Sequence, residues 1–248
     1  MIRTIAKKEF LGLFSTPSTW WMLALMQFLF AWFYFGRIDD YLQVQAQLAQ
    51  LDNAPGATIS IASPLCNVLA LMLMMLIPLF TMRLIAEERR NRTWVLLLTA
   101  PVSAAHVVLG KFVGLMLLLI LIIAGCSAML MTLYVGTHAD IGLLLSNILG
   151  VLLLAGSYAA LGLYFSALNK QPIIAAIGAL GVSFALWLLD MGASDNRSFL
   201  HAISPNAHFQ NLNTGLVNST DLIYFALFIP TLLWLTIRHL NDERRRAP

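Results

Sequence analysis

The residues that could carry out chemistry in this chain are few and far apart. Its 5 histidines and 2 cysteines show none of the spacings that bring several ligands to one metal ion. Both cysteines lie in apolar runs, where we expect buried packing residues: Cys66 and Cys126. The histidines fall on loops and helix ends, where we expect surface positions: His106, His138, His201, His208 and His239. We therefore predict no metal site and no catalytic residue.

The sequence also lacks the groups that would bind a nucleotide or couple an ion gradient. No glycine-rich loop followed by Lys-Ser or Lys-Thr, the pattern that cradles phosphates, is present. No Asp, Glu, Lys or Arg falls in the middle of a predicted span, although ion-coupled transporters usually need such a residue. We expect the chain to bind no cofactor and to carry no energy source of its own.

Composition indicates the elements that must position whatever site exists. Hydrophobic residues make up 59% of the 248 residues and charged residues only 11%, against about 25% charge in a soluble domain. Six apolar runs are long enough to cross a bilayer as helices. We predict one all-α transmembrane domain over residues 1–248, with spans at about 19–35, 64–84, 112–134, 143–168, 172–189 and 222–240.

The basic residues set the predicted orientation, because Lys and Arg concentrate on the cytoplasmic side. With a cytoplasmic N-terminus, 13 of the 15 basic residues lie inside, and only Arg37 and Arg197 lie outside. Both termini are then cytoplasmic. A membrane lipid environment is expected, and nucleic acid is not a partner because no soluble basic domain is present to hold it.

Residues 1–18 predict an amphipathic helix at the membrane interface. Its apolar face comprises Ile2, Ala6, Phe10 and Leu13, and Glu9 also falls on that side. A carboxylate there requires a cationic partner rather than lipid. The alternative is a frayed tail.

The cytoplasmic segment 87–103 is the most informative. A charged cluster that begins with Glu87 and Glu88 precedes a short apolar turn, Trp94 to Leu98, which Pro101 ends. Five apolar residues cannot span a bilayer, so this short helix fills either a groove on a partner or a site under its own bundle. The residues alone favour neither.

A second short helix is predicted on the outer side. Ser204 suits the N-cap and Pro205 the first helical position. Phe209, Leu212 and Leu216 would share one face, and Gly215 would allow close packing. We expect an amphipathic or re-entrant helix that caps the bundle.

These segments together give the chain its resemblance to a known family. The matching motifs are Lys8-Glu9-Phe10 with Pro17, Glu87-Glu88, Thr93, Leu96-Leu97-Leu98-Thr99, Pro101-Val102, Gly110-Lys111, Ser204-Pro205, His208-Phe209, Gly215 and Asp221 with Tyr224-Phe225. On these motifs, over nearly the whole chain, the sequence resembles the permease subunits of ABC-2 type exporters. It resembles in particular the gliding-motility and copper-enzyme-maturation permeases, which implies the type V exporter fold.

The resemblance implies a transport subunit of the bacterial inner membrane, driven by a separate cytoplasmic ABC ATPase that binds ATP and Mg²⁺. It further implies that residues 92–99 form a coupling helix on that ATPase, with the 1–18 helix as an elbow beside it. The coupling residues would be Glu87, Glu88, Arg92, Thr93, Trp94, Leu96, Leu97, Leu98, Thr99 and Pro101. A second permease chain, homodimeric or related, and a periplasmic accessory protein would complete the assembly.

Two sets of residues could form the contact between permease chains or line the pathway. One is the aromatic face of the first span, Phe28, Trp32 and Phe35. The other is the pair Gly178 and Gly181 of the fifth span, which lets helices approach closely. These glycines could equally pack within one subunit. The remaining functional alternatives are a membrane anchor and, with less support, a membrane-embedded enzyme, and the substrate stays open among lipids, glycans, peptides and sulfur- or metal-related compounds.

Overall fold

The computed structural model describes residues 1–48, 56, 58–91, 103–135, 140–192 and 202–246, and every regular element within them is helical. The α-helices are α1 Ile2–Ser15, α2 Pro17–Leu48, α3 Ser63–Leu84, α4 Ala86–Arg90, α5 Ala104–Met131, α6 Ile141–Leu168, α7 Pro172–Gly192, α8 Pro205–Asn213 and α9 Ser219–Arg246. A π-helical turn, Thr58–Ala62, precedes α3, and a 3-10 turn, Thr132–Val135, follows α5.

Six of these helices are long and apolar enough to cross a membrane, which confirms the predicted all-α membrane architecture. They are α2, α3, α5, α6, α7 and α9. The predicted apolar runs underestimate several of them, because a helix continues wherever its backbone hydrogen bonds continue, irrespective of polarity. The clearest case is α2, which passes Gly36 and runs to Leu48, whereas its predicted span ended at residue 35.

The first two helices are separated by one residue. Thr16 adopts an extended conformation and Pro17 opens α2, as expected because proline disfavours helical geometry in the residue before it and suits a first helical position. The chain therefore turns sharply between α1 and α2, as the sequence predicts, and the Thr16 hydroxyl closes the turn on the carbonyl of Leu13 at 2.7 Å.

The centre of the bundle is α6, which contacts α3, α5, α7, α8 and α9. Its middle is rich in small buried residues, which allow neighbouring helices to approach closely: Ala155, Gly156, Ser157, Ala159, Ala160 and Gly162. The closest approach is at Gly162, where a Cβ would lie 2.3 Å from Oγ1 of Thr81 in α3. These two helices are thus packed almost backbone to backbone.

The short helix α8 is inserted among the spans rather than laid over them. Phe209 and Leu212 are fully buried and contact α6 at Gly150. The helix ends at Asn213, and Gly215 takes the left-handed conformation, φ +86°, that favours glycine. The prediction that Leu216 shares the buried face is therefore wrong: it lies beyond the helix end and is exposed.

Candidate functional site

One face of the bundle, here called the terminal face, carries α1, α4 and the end of α9. Helix α1 packs closely on the first half of α5 because two glycines of α5 have no side chains to keep the helices apart. A Cβ at Gly110 would lie 2.7 Å from Ile5, and one at Gly114 would lie 2.9 Å from both Ala6 and Glu9. This i, i+4 pair of glycines is the arrangement that lets two helices approach closely in a membrane protein.

The close contact brings Glu9 to a buried lysine. Nζ of Lys111 lies 3.0 Å from Oε1 of Glu9 and 2.7 Å from Oε1 of Glu88. The lysine side chain is 2% exposed, whereas the two carboxylates are 15% and 20% exposed. A charge this buried persists only with paired partners, and here one ammonium serves two carboxylates. We call Glu9, Glu88 and Lys111 the Lys111 cluster; it joins α1, α4 and α5.

Helix α4 is positioned by a hydroxyl from the central helix. Oγ of Ser166 accepts hydrogen bonds from the backbone N–H groups of Ile85 (3.2 Å) and Ala86 (3.0 Å), and donates to the carbonyl of Met82 at 3.4 Å. These backbone groups belong to the break between α3 and α4, where Ile85 leaves helical geometry. Ser166 therefore satisfies the backbone polar groups that the break frees.

A second ion pair ties α4 to α9. Nη2 of Arg89 lies 2.5 Å from Oε2 of Glu243, and Nε2 of His239, one helical turn before it, lies 3.5 Å from the other oxygen. The Arg89 side chain is almost fully buried. Two adjacent residues of α4, Glu88 and Arg89, thus fasten it to α5 and to α9.

Between α1 and α4 lies a cleft of about 220 Å³ lined by Glu9, Leu13, Arg83, Glu87 and Glu88. Nη1 of Arg83 donates to the hydroxyl of Ser18 at 3.2 Å, and Glu87 is exposed. The buried cations of this face, Lys111 and Arg89, pair with carboxylates of other helices, so the arrangement is suited to holding and transmitting position.

The predicted coupling residues are only partly within the described chain. Glu87 and Glu88 lie on α4, but Arg92, Thr93, Trp94, Leu96, Leu97, Leu98, Thr99 and Pro101 lie outside the described residues. The segment 92–102 leaves from the end of α4 and returns to Ser103, the N-cap of α5, whose side chain accepts from the N–H of His106. Both of its attachment points are therefore helices of the Lys111 cluster.

The residues of the predicted apolar face of the first helix lie against α5. Ala6 and Leu13 are buried, and Ile2, Glu9 and Phe10 are half-buried on α5. The expected cationic partner of Glu9 is Lys111. Lys111 precedes the predicted span, which starts at residue 112, and is not among the predicted site residues. Helix α5 begins at Ala104 instead, so Lys111 lies two turns inside a helix.

The residues predicted for a contact between chains divide into two groups. Phe28, Trp32 and Phe35 are all exposed on α2, and a Cβ at Gly181 would meet nothing within 4 Å. Gly178 is different, because a Cβ there would lie 2.7 Å from the ring of Phe165 in α6. Gly178 therefore packs within the subunit, which was the alternative left open above.

On the face opposite the terminal face, polar contacts fix α8. Nδ1 of His208 lies 2.6 Å from Oδ1 of Asp221, and its ring stacks on Tyr224 with centroids 4.0 Å apart. The expected surface position is wrong for this histidine, because Asp221 at the start of α9 is 1% exposed and requires a partner. The sequence signal for this pair is that His208 and Asp221 lie on either side of a predicted turn, which can bring them together.

The comparison with known proteins bears on the whole of this arrangement. The family model described as ABC-2 family transporter protein matches residues 3–239. The match includes Glu9, Glu88 and Lys111 together with five of the membrane helices and most of the sixth. No match was found among the curated proteins. The chain belongs to the ABC-2 family of transporter proteins, as a membrane-spanning permease component.

Proposed function

We propose that the chain is the permease subunit of an ATP-driven exporter of the bacterial inner membrane, of the gliding-motility and copper-enzyme-maturation group. The observation that carries this proposal is the Lys111 cluster. It anchors α1, α4 and α5 at the base of segment 92–102, the segment that the family resemblance assigns to the ATPase. A partner that displaced this segment would act directly on three fastened helices.

The energy source in this proposal is a separate cytoplasmic ABC ATPase, which binds ATP and Mg²⁺ in its own subunit. The apolar turn from Trp94 to Leu98 would fill a groove on that ATPase. Burial of one leucine side chain contributes roughly 1.5–3 kcal/mol, so two or three such residues suffice to hold a subunit. The charges of Glu87, Glu88 and Arg90 would fix the register of docking rather than supply most of the affinity.

The first test is the substitution Leu97→Asp. Since it places a carboxylate in the proposed apolar groove, we expect loss of most ATPase co-purification, while membrane insertion stays normal. The measurement is the amount of ATPase recovered with the tagged permease, together with ATPase activity in lipid. Leu216→Asp is a matched control, because Leu216 is an exposed leucine on the opposite face. Full ATPase recovery with both Leu97→Asp and Trp94→Asp would contradict the coupling role of the segment.

The second test concerns orientation. The distribution of basic residues predicts that both termini are cytoplasmic. Reporter fusions at Asn91, Lys170 and Ala247 should read inside, and fusions at Gln50 and Ser194 should read outside. The measurement is the ratio of a periplasm-active to a cytoplasm-active reporter at each site. An inside signal at Gln50 would overturn the proposed orientation.

Two permease chains, identical or related, would form the complete transporter. The exposed aromatic face of α2, with Phe28, Trp32 and Phe35, and the open surface at Gly181 on α7 support this pairing. An aromatic face of this kind is stable in contact with lipid, and its side chains are also suited to packing against another helix. A periplasmic accessory protein would bind on the side that carries α8.

A further inference from the structure

A polar cavity lies in the half of the bundle away from the terminal face. Its volume is about 290 Å³, and its walls come from α3, α6, α7 and α8. Four polar side chains and one indole line it among apolar residues: Asn67, Tyr158, Asn206, Gln210 and Trp187. A mainly apolar concavity with a few convergent polar groups is the usual form of a small-molecule site.

The amide groups of this cavity are held in fixed orientations by hydrogen bonds to one another and to residues behind the cavity wall. Oδ1 of Asn67 accepts from Nε2 of Gln210 at 2.9 Å and from Nδ2 of Asn213 at 3.1 Å. Nδ2 of Asn206 donates to Oδ2 of Asp190 at 2.5 Å. The Asn67 NH₂ group and the carbonyl oxygens of Gln210 and Asn206 make no hydrogen bond to the described residues, so a donor and two acceptors remain for a ligand.

The chemistry of the lining indicates an uncharged ligand. No Lys, Arg, Asp or Glu is among the described lining residues, and Asp190 is bonded behind Asn206. The ring of Phe184 stacks on Trp187, with centroids 5.6 Å apart, and so fixes the plane of the indole. Oriented amides beside a flat aromatic ring suit a molecule that has hydroxyl groups on its edge and C–H groups on its face. A sugar ring has this character, and its hydroxyls both donate and accept.

We propose that this cavity binds a neutral sugar group of an amphiphilic substrate. The proposal rests on the proposed function, because it names the substrate class of the exporter. The volume lies at the lower end of the range for ligand pockets, which fits a small headgroup. Apolar side chains that border the cavity on α3, such as the exposed Leu71, would lie beside the attached alkyl or acyl chain.

The experiment measures binding of radiolabelled octyl β-glucoside, below its micelle concentration, to the full chain in phosphatidylcholine nanodiscs. Empty nanodiscs give the background, and N-octanoylglycinamide, which has an eight-carbon acyl chain of similar length but an amide head, serves as the competitor. We expect saturable binding that the amide does not displace. Trp187→Leu and Gln210→Met should each weaken it about tenfold, the effect of losing one buried polar or aromatic contact.

Two matched controls separate loss of the site from a general disturbance. Trp21→Leu changes an exposed tryptophan of α2, and Gln27→Met changes a glutamine of the same helix, so both should bind octyl β-glucoside normally. The assignment would be overturned by binding at background level or by an equal loss of binding in the controls. Displacement by N-octanoylglycinamide would also overturn it and would indicate a peptide-like ligand instead. This binding experiment contains no ATPase. If the chain recruits the ATPase normally in the earlier test but does not bind octyl β-glucoside, only the sugar assignment is overturned.

Discussion

Replacement of Lys111 with methionine is expected to destabilise the protein strongly and to release α1 from α5. Methionine keeps most of the volume but removes the ammonium that lies 3.0 Å from Glu9 and 2.7 Å from Glu88, so the two carboxylates lose the cation that they share. Removing one partner of a buried ion pair costs about 3–5 kcal/mol. Because both carboxylates keep some contact with solvent, we expect an effect near the lower value.

The two cysteines provide the measurement, because Cys66 and Cys126 are free and buried. A dye that becomes fluorescent on reaction with thiols reports unfolding as the temperature rises. Lys170→Met is the control, since Lys170 is exposed between α6 and α7. Adding Glu9→Gln and Glu88→Gln to Lys111→Met should restore part of the lost stability. An unfolding midpoint for Lys111→Met equal to that of the control would show that the cluster contributes no stability.

Replacement of Gly162 with alanine is expected to push α3 and α6 apart. The new methyl group would lie 2.3 Å from Oγ1 of Thr81 and 2.8 Å from its Cβ and Cγ2. The branched, buried threonine cannot move away without its helix, so we expect a cost at or above the about 1–3 kcal/mol typical of overpacking. The same thiol assay measures it, and ATPase recruitment should also fall because Ser166, one turn later, moves with α6.

The matched control is Gly181→Ala on α7, where a Cβ would meet nothing within 4 Å. There alanine should be neutral or slightly stabilising, since it favours the helix over glycine by roughly 1 kcal/mol. The double substitution Thr81→Gly with Gly162→Ala moves the smaller residue from α6 to α3. It removes the three clashing atoms and should recover much of the stability. If Gly162→Ala behaves like Gly181→Ala, the close packing of α3 on α6 at Gly162 is contradicted.

The sequence predicts the spans well because bilayer crossing depends on a local property, the run of apolar residues. The face of α1 is predicted for a similar reason: Ala6 and Leu13 repeat at helical spacing and are buried as expected. Even the need of Glu9 for a cation follows from its place on that face. The family likewise follows from motifs distributed along the chain, and its model matches residues 3–239.

What the sequence does not predict is which residues meet. The predicted span begins at residue 112, immediately after Lys111, because the start of α5 at Ala104 has no change in apolarity to mark it. The end of α2 was misplaced for the opposite reason, since apolarity stops near Gly36 while the helix continues to Leu48. The contacts of Ser166 with Ile85 and of Arg89 with Glu243 join residues 81 and 154 positions apart, and no local pattern reports such pairs.

The position of Ser166 has a mechanical consequence for the whole bundle. Its hydroxyl clamps the junction of α3 and α4 on both sides, at Met82 and at Ile85 and Ala86, so α4 cannot rotate independently of α6. A torque applied to α4, whatever its origin, is therefore carried into the most central helix of the bundle rather than lost in a flexible joint. Since α6 also contacts α8, this one helix connects the terminal face with the cavity at the opposite end of the bundle.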